Sequence, residues 1–218
     1  MDKDLILFDF DGTVIDNSEG IFNCINYASD EMGLPRLSPE ILRTFIGPSL
    51  FDSFTKYYRK DEATVKEIIV KYRERYNEQG YLETVLYPDI KDVISCLKDD
   101  GYTVCIVSSK PLPFVTKIVE HLGIKQYFSA LCCPDFTQHT SEKDWLIGEA
   151  VRQFGTSKEK TVMIGDRHFD IDASKTAGVE SIGVTYGFAE ENELQNAGAD
   201  FIVDTPKELY TIITGKQI

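Results

Sequence analysis

Hydrophobic residues change period twice along this chain. Leu5-Ile6-Leu7-Phe8 runs without a polar break, the pattern of a strand buried on both faces. After Thr13 the spacing becomes helical. Asp16, Asn17 and Ser18 are good caps, and Ile21, Phe22, Ile25 and Ala28 follow at helical intervals up to Gly33-Leu34-Pro35. Ser38-Pro39 predicts a second helix with proline at its tolerated first position, broken at Ile46-Gly47-Pro48-Ser49. A longer helix from about Asp61 to Gln79 is predicted by Val65, Ile68, Ile69, Tyr72 and Tyr76 on one face. From Asn17 to Gly80 the pattern therefore holds helices only.

From Tyr87-Pro88-Asp89 onward, strand and helix alternate. Buried strands are predicted at Thr103–Ser109, Ala130–Cys133, Thr161–Asp166, Ser181–Val184 and Phe201–Val203. Between them fall helices over Ile90–Leu97, Phe114–Leu122, Glu142–Phe154 and Ala173–Ala177, each stopped by or near a glycine, and a last helix begins at Pro206. Such alternation predicts an α/β fold, a Rossmann-like parallel sheet with right-handed crossovers and helices on both faces. The expected domains are a core of residues 1–15 and 84–218 and a small helical domain, 16–83, inserted after the first strand. In these sheets ligands bind at the carboxyl ends of the strands, where the sequence puts Asp9 and Asp11, Ser108 and Ser109, and Asp166.

Composition narrows the partners. The 218 residues are 42% hydrophobic and 27% charged, ordinary for a soluble protein. With 23 basic and 36 acidic residues the formal charge is -13, which opposes binding to nucleic acid or anionic membranes. It opposes phosphorylated substrates too, unless a metal or a local lysine offsets the field. No segment reaches the roughly 20 apolar residues of a membrane span, and Met1 to Phe10 has no signal-peptide pattern, so a cytoplasmic protein is expected. Cys24, Cys96, Cys105, Cys132 and Cys133 are odd in number and lack metal-site spacing. They are expected to be reduced, buried small residues.

Asp9 and Asp11, two positions apart at a strand end, point the same way and can share one small site. At roughly 4 Å their repulsion is about 4 kcal/mol for an effective dielectric near 20, so a cation is expected with them.

The motif Asp9-Phe10-Asp11-Gly12-Thr13, Ser108 after a strand, and Gly165-Asp166-Arg167-His168-Phe169-Asp170 after another resemble the haloacid dehalogenase superfamily over the whole chain. The helical insertion lies where that superfamily's first cap type does. The resemblance implies that Asp9 is a nucleophile forming an aspartyl-phosphate and that Asp11 protonates the leaving oxygen and later activates water. It implies a magnesium site built from the Asp9 carboxylate, the Asp11 backbone carbonyl, Asp166 and Asp170. Ser108, Ser109, Gly12 and Thr13 are the implied phosphate-binding residues. A lysine should neutralise the phosphoryl oxygens. Lys143 is the first choice, although many relatives have Lys-Pro where this chain has Lys143-Asp144, and Lys110 is its rival. Gly47, Pro48 and Ser49 are the expected substrate-selecting cap loop. Arg167, His168, His121, His139 and Trp145 are expected at the surface, in ion pairs or in packing.

Because Asp11 is present, the resemblance implies a phosphatase acting on a small phosphorylated metabolite, nearest to phosphoglycolate phosphatase and 5′-nucleotidase-like members. A sugar phosphomutase of the β-phosphoglucomutase type and a noncatalytic scaffold stay open as alternatives, as do monomer and homodimer.

Overall fold

A computed structural model describes residues 1–135 and 142–218. The chain divides into two compact units, Met1–Asp16 with Leu86–Ile218, and Asn17–Val85. In chain order the strands are β1 (Leu5–Phe8), β2 (Ile15–Asp16), β3 (Val85–Leu86), β4 (Thr103–Val107), β5 (Ala130–Cys132), β6 (Thr161–Gly165), β7 (Glu180–Val184) and β8 (Phe201–Val203). The helices are α1 (Ser18–Glu31), α2 (Pro39–Arg43), α3 (Leu50–Tyr58), α4 (Glu62–Arg75), α5 (Ile90–Asp99), α6 (Leu112–His121), α7 (Lys143–Phe154), α8 (His168–Ala177), α9 (Glu193–Ala197) and α10 (Pro206–Thr214).

Six strands of the first unit form one parallel sheet in the order β5-β4-β1-β6-β7-β8. β1 lies in the middle because Leu5, Ile6, Leu7 and Phe8 are at most 1% exposed, with apolar neighbours on both faces. On one face Leu5, Leu7, Cys105, Val107 and Met163 pack against Leu146, Ile147 and Ala150 of α7 and Ala173 of α8. Full burial of a side chain of the Leu146 or Ile147 size contributes about 1.5–3 kcal/mol. The register sets Phe8 opposite both Ile106 and Ile164, so Asp9, Ser108 and Asp166 emerge together at one end of the sheet.

In the second unit an aromatic chain runs through the helices. Phe45 meets Phe54 edge-on at 5.1 Å, Phe54 meets Tyr72 at 6.4 Å, and Tyr72 stacks on Tyr76 at 5.6 Å. α4 continues as a π-helical turn, Tyr76–Gly80. The chain approaches itself there so closely that a Cβ on Gly20 would lie 2.2 Å from the Gly80 carbonyl oxygen.

Several boundaries differ from the predicted ones for identifiable reasons. The Ile46–Ser49 break is followed by a further helix, α3, because Ser49 accepts a hydrogen bond from Asp52 N and caps it. α8 begins at His168 rather than near Ala173, since the Asp170 side chain accepts from Arg167 N and makes a polar first turn helical. α9 and the two short strands β2 and β3 have too few residues to show a period. All five cysteines are free, with Cys24, Cys105 and Cys133 buried and Cys96 and Cys132 half-buried. Among the described residues no helix is long and apolar enough to cross a membrane.

Candidate active site

The site begins where β1 stops. Asp9, 7% exposed, continues the β1 ladder by donating its N–H to the Ile164 carbonyl at 2.8 Å. Its carboxylate lies 2.9 Å from Lys143 Nζ, which also contacts Asp170 Oδ1 at 2.5 Å. Lys143 opens α7 and Asp170 sits in the first turn of α8, so two helix starts deliver an ion-paired lysine to the end of a central strand. Asp166 follows β6 and is fully buried. Thr13 Oγ1 donates to its Oδ1 at 3.3 Å and Phe188 N–H donates to its Oδ2 at 2.8 Å.

Oxygen atoms of Asp9, Asp166 and Asp170 lie within 4.8 Å of one another. Three buried carboxylates so close repel strongly. Burial pushes the Asp9 carboxyl up to about 7 against the pull of Lys143, and Asp170 adds to the rise. For Asp166 burial is again the largest cause of a rise well above the ordinary carboxylate range, followed by Asp170 and Asp9. Burial works against the Lys143 charge, but Asp170 and Asp9 outweigh it and hold the ammonium above its ordinary pKa. An all-oxygen, anionic cluster of this kind fits a hard divalent cation such as magnesium.

Glycine shapes the cluster. Gly12 has φ +89°, and a Cβ there would lie 2.2 Å from Asp166 Oδ2. A Cβ on Gly187 would lie 2.3 Å from the Gly12 carbonyl oxygen and 2.5 Å from Asp166 Cβ. The loop after β7 can therefore close over Asp166 only as bare backbone.

The predicted residues separate into groups. Asp9, Asp166, Asp170 and Lys143 converge. The Asp11 carboxylate does not share Lys143: it pairs with Lys110 Nζ at 3.0 and 3.2 Å, because Lys110 comes off the β4 end beside it. The two rival lysines thus hold different acids. Ser108 is buried and Ser109 exposed, and Ser108 Oγ accepts from Lys110 N at 3.3 Å. The Thr13 hydroxyl is directed at Asp166 and Gly12 is pressed against it. In the second unit Gly47 and Ser49 are exposed and Pro48 half-buried. Trp145 is exposed, and His139 lies outside the described residues.

Arg167 and His168 share an acid that the sequence reading did not single out. Glu193 accepts from Arg167 Nε at 2.8 and 3.1 Å, from His168 N at 2.8 Å and from Glu190 N at 2.9 Å, and His168 Nδ1 lies 2.6 Å away. Phe188, which binds Asp166 through its backbone, was missed likewise. A glycine followed by an aromatic residue just after a strand is the only hint the sequence holds. A shallow depression at the opposite end of the strands, lined by Asp4, Leu5, Thr103, Thr156 and Lys160, contains none of the predicted residues.

A parallel α/β sheet whose central strand leads into an aspartate, met by a second aspartate from the end of a neighbouring strand and by a lysine and a third aspartate from two helix starts, is the arrangement of a hydrolase of the phosphatase class. The chain belongs to the haloacid dehalogenase-like hydrolase family, whose profile matches residues 6–184. It is 34% identical over 190 residues to a 5′-nucleotidase of Pseudomonas aeruginosa, covering 87% of this chain and 86% of that protein. It is 26% identical over 221 residues to a phosphoglycolate phosphatase of Aliivibrio fischeri, covering 98% and 97%. A haloacid dehalogenase-like family hydrolase of Streptococcus pneumoniae has a solved structure that superposes with a TM-score of 0.91 at 28% identity, over 98% of this chain and 99% of that one.

Proposed function

We propose that this phosphatase hydrolyses a small phosphomonoester through an aspartyl-phosphate on Asp9. The observation that carries the reading is the buried Asp9 carboxylate at the end of β1, 2.9 Å from Lys143 and within a cluster of three carboxylates. An Asp9 oxygen attacks phosphorus in line, and the bond from phosphorus to the ester oxygen breaks as Asp11 gives that oxygen its proton. Asp11 then takes a proton from water, whose oxygen attacks the phosphoryl group and returns Asp9 with release of phosphate. Lys143 and the Ser108 hydroxyl stabilise the phosphoryl oxygens.

Asp9, Asp166 and Asp170, with the backbone carbonyl of Asp11, would hold magnesium. Bound there, the ion would neutralise phosphoryl charge and orient the group. Gly12, Thr13 and Ser109 border the phosphate position, and Gly47, Pro48 and Ser49 of the helical insertion form the proposed substrate-selecting loop. A small soluble ligand in the cytoplasm suits the -13 charge, since the local lysines offset a field that rejects nucleic acid and membrane surfaces.

Phosphate release should be screened over nucleoside monophosphates, phosphoglycolate, sugar phosphates, pyrophosphate and phosphotyrosine, with and without magnesium. The expected result is magnesium-dependent release from a phosphomonoester, lost to background in Asp9→Asn while the variant keeps its thermal melt. Substantial turnover by Asp9→Asn would overturn the nucleophile assignment.

A further inference from the structure

We infer that Lys110 is a positioning residue, one that fixes the carboxyl group of Asp11 at the leaving-group side of the site. The inference rests on the reading of Asp11 as proton carrier given above. Asp11 follows the end of β1 and is held less tightly than Asp9: its side chain is 23% exposed against 9% for Asp9. Left alone, such a carboxylate turns about its side-chain bonds. Lys110 Nζ contacts both of its oxygens, at 3.2 and 3.0 Å, and an ammonium set against both oxygens fixes the place of the group.

Lys110 is itself anchored. Its N–H bonds Ser108 Oγ at 3.3 Å. On either side, Ser108 N–H reaches the Cys132 carbonyl at 3.3 Å and Leu112 N–H reaches the Pro134 carbonyl at 2.8 Å. Pro111 sets the backbone between those two anchors with φ -57°. The lysine side chain is 10% exposed, so its reach is confined as well as its root. One turn therefore presents both Ser108, toward the transferred group, and Lys110, toward the acid that serves the departing oxygen. Lys143 has no part in this, because its partners are Asp9 and Asp170.

The test compares leaving groups. An alkoxide must be protonated as it leaves, whereas p-nitrophenolate departs without a proton. Lys110→Met and Lys110→Arg are assayed with wild type on p-nitrophenyl phosphate and on whichever of phosphoglycolate and a nucleoside 5′-monophosphate the wild type hydrolyses faster. For Lys110→Met, kcat/KM on the alkyl ester should fall about 100-fold, as for loss of a well-placed proton donor, and on p-nitrophenyl phosphate by less than about 3-fold. The common second step also needs Asp11, so p-nitrophenolate should appear in a burst of one equivalent per enzyme. Lys110→Arg, which keeps two donors, should regain about a tenth or more of the lost activity. Equal losses on both esters, no loss on either, or a rise in KM with kcat unchanged would overturn the inference. If Lys110→Met melts well below wild type, Lys110→Gln replaces it under the same criteria. Wild type that releases no phosphate from any ester would defeat the proposed function instead.

Discussion

Replacing Glu193 by glutamine tests how the loop after β7 is tied to the site. Four donors from Arg167, His168 and Glu190 converge on this carboxylate. Burial raises its pKa, but the N–H groups of Glu190 and His168 and the Arg167 and His168 side chains outweigh burial and hold it down from 4.5 to about 2. At about 1.4 kcal/mol for each tenfold change in proton affinity, that depression amounts to about 3 kcal/mol. Solvent screening of a half-buried group reduces it to about 2 kcal/mol. For a chain of this length the expected drop in Tm is about 4–8 °C. Because the folded pKa lies below the unfolded one, the stabilisation is fully present above about pH 4.5 and is lost as pH falls toward about 2. Urea titrations of wild type and Glu193→Gln should therefore differ by a constant amount from pH 8 to pH 5 and converge below. Arg167 N also donates to Asp170 Oδ2 at 3.0 Å, so calorimetry should show magnesium bound about 10-fold more weakly in the variant. Equal stability at pH 7, or a gap that widens below pH 4.5, would refute the reasoning.

Two further outcomes follow from the cluster. Gly12→Ala combines a left-handed backbone with a Cβ placed 2.2 Å from Asp166 Oδ2; it should cost about 1–3 kcal/mol in strain and abolish magnesium binding measured by calorimetry, and normal binding would show that Asp166 is not a ligand. Burial holds the Asp9 carboxyl at about 7, above its unfolded value of 3.8, so its contribution to metal-free stability is full below about pH 4 and lost as pH rises through about 7. Magnesium affinity should accordingly rise from pH 6 to pH 8 and level off above, and a flat profile would place the proton elsewhere.

Physical reasons separate what the chain discloses from what it does not. β1, β4 and β6 were legible because a strand buried on both faces carries an almost unbroken apolar run, and Asp9, Ser108 and Asp166 are simply the first polar residues after those runs. The helix at Leu50–Tyr58 was hidden because Gly47-Pro48 reads as an end, while Ser49 uses the same turn as a beginning. Partnerships are harder than places. Lys110 and Asp11 are separated by 99 positions and Arg167 and Glu193 by 26, and nothing periodic links either pair. Glu193 lies in the run Glu190-Glu191-Asn192-Glu193, which from sequence alone is a solvated surface turn.

The pairings that the sequence withheld also say why the acids tolerate one another. Asp9, Asp11, Asp166 and Asp170 meet two ammonium groups, Lys143 and Lys110, and the two lysines pair with different acids: one stands with Asp9 and Asp170, the other with Asp11. Among the described residues Asp166 accepts hydrogen bonds from neutral donors, Thr13 and Phe188. The deficit is two charges, and it falls among the carboxylates of Asp9, Asp166 and Asp170. Without a counter-charge that deficit is met by protons, which is the physical content of the raised Asp9 and Asp166 pKa values. A divalent cation would meet it without them and would leave Asp9 ionised, as the proposed attack on phosphorus requires. Charge balance and the proposed nucleophilic role thus make the same demand on one cluster, whereas Asp11, outside the cluster, is balanced by its own lysine.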